Sequence, residues 1–290
     1  MTPPGVAHAT PCLALDIGGT KAEAALVTRD GATVRRERID VKSAGDQLFE
    51  HIDELLTRVR GDDEVTSLGV ACAGPMLAGG VSVSPLNIPA WRNFALRERL
   101  VAATGLRVEI DGDVRALALA EGSFGAAREV ASYASLVVST GIGGALVMDG
   151  RLVNGETGNA GHLGHLNVVA GGRLCSCGSR GCLEAEASGW AIHEMTGSAP
   201  QDADDQMRRR TATLVGRAIG TLAAVLDFTH CFVAGSVALG YGDAFFDTAT
   251  LAARELATID FARTINVVPS GLGANGPILG AACVAWRGET

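Results

Sequence analysis

The sequence predicts an α/β protein made of two similar halves facing one another. Three observations lead there. Short apolar strands alternate with helical stretches along 290 residues, enough for two packed domains or one large one. The composition, 47% hydrophobic and 19% charged, supports a sizeable core and argues against disorder. One strand–turn–strand pattern occurs twice, at 13–39 and again at 135–153.

In chain order, the run Cys12–Ile17 reads as a buried strand with a carboxylate, Asp16, near its end. Gly18-Gly19-Thr20-Lys21 is a turn, and an apolar run at 22–27 leads through Arg29-Asp30-Gly31 into an alternating strand at 33–39. A Gly-Gly turn lets backbone N–H groups approach phosphate oxygens. Thr20 adds a hydroxyl donor, and Asp16 is able to hold the water shell of a Mg²⁺ ion. The plain alternative for D-x-G-G-T is an ordinary hairpin turn. Residues 43–60 carry Leu48, Ile52, Leu55, Leu56 and Val59 at helical spacing, and 65–72 is the next strand, broken by Ala73-Gly74-Pro75. The loop 84–91 holds an amide, Asn87, which either caps a turn or lines a polar ligand site.

The strand 107–111 ends at Gly112-Asp113, and 115–127 is an Ala/Leu-rich helix. Asp113 therefore stands where a strand gives way to a helix. Either it caps that helix, or it is aimed out of the carboxyl edge of the sheet, where ligands of open α/β sheets bind. The strand 135–139, the segment Thr140-Gly141-Ile142-Gly143-Gly144, the strand 145–148, the turn Asp149-Gly150 and the strand 151–153 then repeat the opening unit. Each half thereby offers a glycine turn to one polyphosphate. No G-x₄-G-K-[ST] loop occurs. Further on, 188–195 begins a helix, 198–205 is a polar loop, and 210–228 is a long helix with an apolar face. The strand 231–233 runs into a third glycine turn, Ala234-Gly235-Ser236-Val237. The helix 243–258, the strand 265–268, a glycine loop at 271–280 and a helix at 278–286 complete the chain.

A net charge of −8 argues against nucleic acid as a partner. Arg208, Arg209 and Arg210 are the basic cluster that stands out, read as a solvated face or the start of a helix. No apolar run reaches the length of a membrane span. The first eleven residues lack the basic start and apolar core of a signal peptide and are read as a frayed terminus. A cytoplasmic protein with reduced thiols is the expectation.

Three of the seven cysteines, Cys175, Cys177 and Cys182, follow His165 within a short Gly-rich window. One imidazole and three thiolates complete a four-coordinate shell and suit Zn²⁺. Buried free thiols would explain the cysteines singly but not their C-x-C-x₄-C clustering beside a polar loop, and a disulfide needs an oxidising compartment that nothing in the sequence marks. With no open position the zinc would be structural. It would fix the loop that carries His162, His165 and Glu184.

The spacing G-H-x₉-C-x-C-G-x₂-G-C-x-E, from Gly164 to Glu184, resembles the signature of the ROK family (repressors, uncharacterised reading frames and sugar kinases), and the resemblance extends over nearly the whole chain. It implies the actin/hexokinase-like (ribonuclease-H-like) ATPase fold, two similar α/β domains flanking an active-site cleft. The small domain would take 1–112 plus about 277–290, the large one 113–276 with the zinc motif. The implied activity is ATP-dependent phosphorylation of the 6-hydroxyl of a hexose, glucokinase-like, by a homodimer using ATP, Mg²⁺ and structural Zn²⁺. Such a transfer needs a phosphate cradle, a metal, and a carboxylate to position and deprotonate the attacking hydroxyl. On the matching positions Asp113 is the catalytic carboxylate, eight residues before Glu121 in a D-x₇-E pattern. Asn87, Asp113, His165 and Glu184 contact the sugar. Asp16, Gly18, Gly19, Thr20, Lys21, Thr140, Gly141, Gly235 and Ser236 serve the nucleotide, and the regions of Gly235 and of Gly273 to Gly276 line the adenosine pocket.

The sequence departs from the family pattern twice. Gly112 stands where Asn usually precedes the catalytic Asp. Gly161-His162-Leu163-Gly164-His165 replaces G-E-x-G-H, putting the imidazole of His162 at a sugar-binding carboxylate position. A similar G-H-x-G-H occurs in some bacterial N-acetylmannosamine kinases of this family, so an N-acetylhexosamine is the alternative substrate. Polyphosphate is the alternative donor. A sugar-responsive repressor would carry an extra helix-turn-helix ahead of the phosphate motif, which here starts at Leu13. A non-catalytic sugar-sensing protein would not need Asp113 and two glycine turns.

Overall fold

The computed structural model describes residues 10–85 and 87–287. Residues 1–9 of the terminus read as frayed, Leu86 of the loop 84–91, and residues 288–290 lie outside the described residues. The chain begins β1 (Cys12–Ile17), β2 (Lys21–Val27), β3 (Thr33–Asp40), α1 (Val41–Ala44), α2 (Leu48–Arg60), β4 (Ser67–Cys72), α3 (Leu96–Thr104), β5 (Arg107–Gly112) and α4 (Asp113–Phe124). It continues β6 (Tyr133–Val138), β7 (Ile142–Met148), β8 (Arg151–Leu152), α5 (Leu183–Ala187), α6 (Gly189–Thr196) and α7 (Asp205–Leu226). It ends β9 (His230–Ala234), α8 (Ser236–Tyr241), α9 (Asp243–Leu256), β10 (Asn266–Pro269) and α10 (Gly276–Arg287). No described helix is long and apolar enough to cross a membrane.

Two compact units form. The first comprises Met1–Ala120, Thr157–Asn159 and Ala274–Thr290; the second comprises Glu121–Glu156 and Ala160–Gly273. In the first, five strands are ordered β3-β2-β1-β4-β5, with β1 antiparallel to β2 and parallel to β4. All six residues of β1 are buried, as a strand covered on both faces requires. Leu13, Leu15 and Ile17 share a core with Leu48, Ile52, Leu55, Leu56 and Val59 of α2. In the second, the order is β10-β9-β6-β7-β8, with β6 antiparallel to β7 and parallel to β9. Its core joins Leu136 and Val138 of β6 to Val215 and Ile219 of α7 and Phe245 of α9. Each sheet therefore orders its own strands third, second, first, fourth, fifth, so the repeated motif at 13–39 and 135–153 is a repeat of topology.

Several boundaries depart from expectation. The helix expected over 43–60 is broken at Gly45, whose φ of 55° takes it out of the helical region. Gly143 and Gly144 lie inside β7 instead of in a turn, because they pair with Val137 and Leu136 of β6; at Gly144 an added Cβ would fall 2.6 Å from Leu163 Cγ. The loop expected at 198–205 contains a 3₁₀ turn (Pro200–Asp202), and α7 begins early because the Asp204 side chain caps it by accepting from the Met207 N–H. Arg208, Arg209 and Arg210 fall inside α7, and Arg210 pairs with the buried carboxylate of Glu186. The glycine loop expected at 271–280 stops at Gly276, where α10 begins. Helices α3 and α5 have no counterpart in the expected elements.

Candidate active site

In the first unit the polar residues gather at the ends of β1 and β5. Asp16 is 8% exposed. Burial pushes its carboxyl up to about 7, the charge of Asp113 adds to the rise, and Lys21 opposes it. The turn Gly18-Gly19-Thr20 closes with the Gly18 N–H donating to the Lys21 carbonyl at 3.0 Å, and the Thr20 carbonyl accepts from Val41 at the start of α1 at 2.9 Å. Asn87 lies on this turn: a Cβ on Gly19 would fall 2.5 Å from the Asn87 Cβ and 2.9 Å from its Nδ2. Lys21 donates to Glu23 Oε2 at 3.2 Å. Arg36 donates to Glu23 Oε1 at 2.8 Å, and to Asn275 Oδ1 at 2.8 Å. The Arg36 guanidinium thus holds the Glu23 carboxyl below its usual range.

Asp113 is the first residue of α4 and is exposed. The junction that presents it is clamped by its buried neighbour Asp111. That carboxylate accepts from the Gly112 N–H at 2.8 Å, from Arg115 Nε at 2.6 Å, and from Arg287 of α10 at 2.5 Å. Charged, multiply bonded and buried, Asp111 is a rigid anchor that sequence reading passed over. Glu121 is fully buried and accepts from Ala126 N, Gly271 N and Ser270 Oγ at 2.8, 2.9 and 2.5 Å, which gives it a structural task in the second unit.

In the second unit, donor atoms of His165, Cys175, Cys177 and Cys182 all lie within 4.8 Å of one another. Cys177 Sγ and Cys182 Sγ are 3.7 Å apart, and Cys175 Sγ is 3.6 Å from His165 Nδ1. A tetrahedral Zn²⁺ at ordinary bond lengths puts two sulfurs about 3.8 Å apart and a sulfur and a nitrogen about 3.6 Å apart. The four donors therefore fit the ion in type, number and spacing. All seven cysteines are free thiols, so no disulfide competes. A tight turn brings the sulfurs together, with Cys175 N donating to the Ser179 carbonyl and Gly178 N to the Cys175 carbonyl. Glu186 secures it, accepting from Arg173 N at 2.6 Å and from Arg210 at 2.5 Å.

Glu184, two residues past this cluster, reaches the glycine turn of its own unit. Its Oε2 accepts from Ile142 N at 3.0 Å and lies 2.8 Å from where a Gly141 Cβ would be. On the other side of that turn, Ser139 Oγ and Ser236 Oγ are 3.0 Å apart, and Gly235 has a φ of 101°. The turn's carbonyls are held by α6: Gly189 N donates to Ser139 O at 2.7 Å and Trp190 N to Thr140 O at 3.0 Å. The residues expected to serve a nucleotide in this unit, Thr140, Gly141, Gly235 and Ser236, are thus neighbours of Glu184 or of one another. A cavity of about 430 Å³ opens beside Thr140 and Ser236, lined also by Trp190, His193, Pro200 and Gln201. None of those four was singled out from the sequence, since α6 and the 3₁₀ turn after it meet Thr140 and Ser236 only in the folded chain.

The ROK family model matches residues 12–287. The chain belongs to the ROK family. It is 32% identical to a glucokinase of Thermotoga maritima, with 94% of this chain and 96% of the relative covered. It is also 32% identical to an N-acetylmannosamine kinase of Pasteurella multocida, with 80% and 83% covered. Among solved structures, a ROK hexokinase from Thermus thermophilus superposes with a TM-score of 0.87 at 30% identity, covering 97% of this chain and 99% of that one. A ROK glucokinase from Streptomyces griseus in complex with glucose and AMPPNP gives a TM-score of 0.81 at 26% identity, covering 96% and 99%. With its two mixed sheets and their helices, this ROK chain has the α/β fold of the actin/hexokinase-like type.

The two departures from the ROK pattern differ in their surroundings. A Cβ on Gly112 would meet only Arg115 side-chain carbons at 3.4–3.9 Å, which is ordinary contact. His162 is exposed, and its ring lies 6.1 Å from that of His165 at an interplanar angle of 21°.

Proposed function

We propose that this ROK chain is a sugar kinase that transfers the γ-phosphoryl group of ATP to the 6-hydroxyl of a hexose, as a glucokinase does. The observation that carries the reading is Asp113. It is an exposed carboxylate at the strand-to-helix junction fixed by Asp111, close enough to Asp16 for its charge to raise that carboxyl. Asp113 orients the sugar hydroxyl and accepts its proton. As the new O6–Pγ bond forms, the bond from Pγ to the bridging oxygen breaks and ADP leaves. Asn87 and Glu184 bind other hydroxyls of the sugar, and the turns Gly18–Lys21 and Thr140–Gly141 face the phosphates with backbone N–H groups. Asp16 would hold the water shell of Mg²⁺, which when bound would supply positive charge against the developing phosphate charge.

Cys175, Cys177, Cys182 and His165 would hold a structural Zn²⁺. His165 would bind it through Nδ1, the nitrogen nearest Cys175 Sγ, which would leave Nε2 for the sugar. The second reading is an N-acetylhexosamine kinase. It is supported by the identity to an N-acetylmannosamine kinase and by His162, whose neutral ring offers a donor where a carboxylate offers only acceptors.

A coupled ADP-release assay over hexoses and N-acetylhexosamines tests both readings. Turnover on glucose or a neighbouring hexose supports the first, and preference for an N-acetylated sugar supports the second. Asp113→Asn should lose about 10²–10⁴-fold in turnover while still binding ATP. Near-wild-type turnover in that variant removes Asp113 from the mechanism.

A further inference from the structure

The loop that carries Asn87 is short of backbone donors. Between Val83 and Phe94 it holds two prolines, Pro85 and Pro89, neither of which has an N–H. The ends of the loop are joined. Val83 and Phe94 exchange both backbone bonds at 3.0 Å, and Asn93 N donates to Ser84 Oγ at 3.0 Å. Inside it, Ile88 N donates to the Pro85 carbonyl at 3.2 Å and Trp91 N to the Ile88 carbonyl at 2.9 Å. Ile88 and Trp91 are buried in the core of the first unit, and Trp91 stacks on Phe94 with 4.4 Å between ring centroids. Asn87, which precedes Ile88, is exposed.

The Arg92 guanidinium occupies the inside of this ring of backbone. Its Nη1 donates to the Pro85 carbonyl at 2.7 Å and lies 3.4 Å from each of the Ile88 and Trp91 carbonyls. One nitrogen thus gathers an acceptor that comes before Asn87 and two that come after it. A guanidinium is always charged and carries five N–H donors in a fixed plane, so it serves several carbonyls at once and bonds each more strongly than an amide would. Arginines that only keep a surface polar turn their heads to water. This one turns Nη1 into its own loop and supplies a donor where the two prolines supply none.

We propose that Arg92 is a positioning residue for the sugar: it locks the backbone on both sides of Asn87 and sets that amide before substrate arrives. A ligand residue ordered in the free protein does not have to be ordered on binding. The inference rests on the kinase reading, in which Asn87 binds the sugar, and Arg92 acts through Asn87.

Arg92→Met keeps most of the side chain's length and removes every donor, and Arg92→Lys keeps a charged donor. The full chain is assayed with ATP and the sugar of highest turnover. Misplacing a substrate ligand by about 1 Å costs on the order of 10²-fold in rate, so kcat/KM for the sugar falls at least about tenfold in Arg92→Met. The KM for ATP stays, and Arg92→Lys recovers part of the loss. In an Asn87→Ala background Arg92→Met costs nothing further, because the residue it positions is gone. Backbone amide exchange in the free protein gives a readout independent of turnover: the Ile88 and Trp91 amides exchange faster in Arg92→Met, and those of β4 do not. The proposal is overturned if Arg92→Met keeps the wild-type kcat/KM for the sugar, if the KM for ATP rises by the same factor, or if the loss is undiminished in Asn87→Ala. Unchanged exchange at Ile88 and Trp91 overturns it as well. If the wild-type chain phosphorylates no sugar, the kinase reading fails and exchange alone decides: faster exchange at Ile88 and Trp91 upholds the lock on Asn87, and unchanged exchange removes it.

Discussion

Asn87 rests directly on Gly19, with no room for even a methyl group between them: an added Cβ would come within 2.5 Å of the Asn87 Cβ. Real Cβ atoms do not approach so closely, and the obstacle is the root of a side chain, which cannot swing away. The contact couples the residue assigned to the sugar to the turn assigned to the phosphates.

Gly19→Ala should therefore fold normally, since the turn is only part-buried, but push the 84–91 loop and Asn87 outward. Misplacement of about 1 Å at a positioning residue costs on the order of 10²-fold in rate. Steady-state kinetics should show kcat/KM for the sugar falling at least tenfold with an unchanged circular dichroism spectrum. Wild-type kinetics would mean that the Asn87–Gly19 contact has no bearing on substrate.

The pH dependence of stability follows from Asp16. Its carboxyl, ordinarily near 3.8, is raised to about 7 by burial. Below about pH 4 the folded and unfolded chains both hold the proton, and Asp16 makes no difference. Between about 4 and 7 the unfolded chain releases it first, so the fold loses stability as pH rises; above 7 the loss is constant. Asp16→Asn cannot ionise. In nucleotide- and Mg²⁺-free buffer the Tm of the variant relative to wild type should climb across this window and level off above it. A difference that stays flat from pH 4 to 8 contradicts the account.

The sequence made plain what local chemistry determines. The strand Cys12–Ile17 is found at its expected bounds because an apolar run, interrupted only by Asp16, has a Gly-Gly turn after it. Asp113 could be located because strand-to-helix junctions are visible in periodicity. What long-range packing determines was hidden. Gly280 looks like loop, yet lies in α10 pressed against Ala116, where a Cβ would fall 2.8 Å from the backbone carbon. Asp111 is anchored by Arg287, 176 residues away, and no local pattern announces such a pair. His165 and the three cysteines were legible because their spacing is itself the chemistry.

That cluster gives the third prediction. Protein purified without added zinc should carry about one zinc per chain. Cys182→Ser, which changes a fully buried donor, should lose it. Glu184 follows Cys182 by two residues and is seated on Ile142, so loss of metal should unseat the carboxylate and lower activity by at least about tenfold. Metal-free protein with full activity would separate the cluster from the site.

His162 offers the sharpest test of substrate choice. It stands at the start of a short 3₁₀ turn, makes no capping bond there, and is exposed. Replacing it should cost the fold within about 0.5 kcal/mol, as surface changes usually do. A glutamate there would accept from a sugar hydroxyl but repel an acyl carbonyl, to which the neutral imidazole is able to donate. His162→Glu should therefore move the ratio of kcat/KM values toward plain glucose and away from N-acetylated sugars. One hydrogen bond gained or lost in a polar site is worth roughly 1–3 kcal/mol, so the ratio should shift about tenfold or more. Gly112→Asn should act in the same direction, since the nearest atoms to a new Cβ are Arg115 side-chain carbons in ordinary contact. If His162→Glu leaves the ranking of sugars untouched while zinc stays bound, His162 supports the loop and does not choose the sugar.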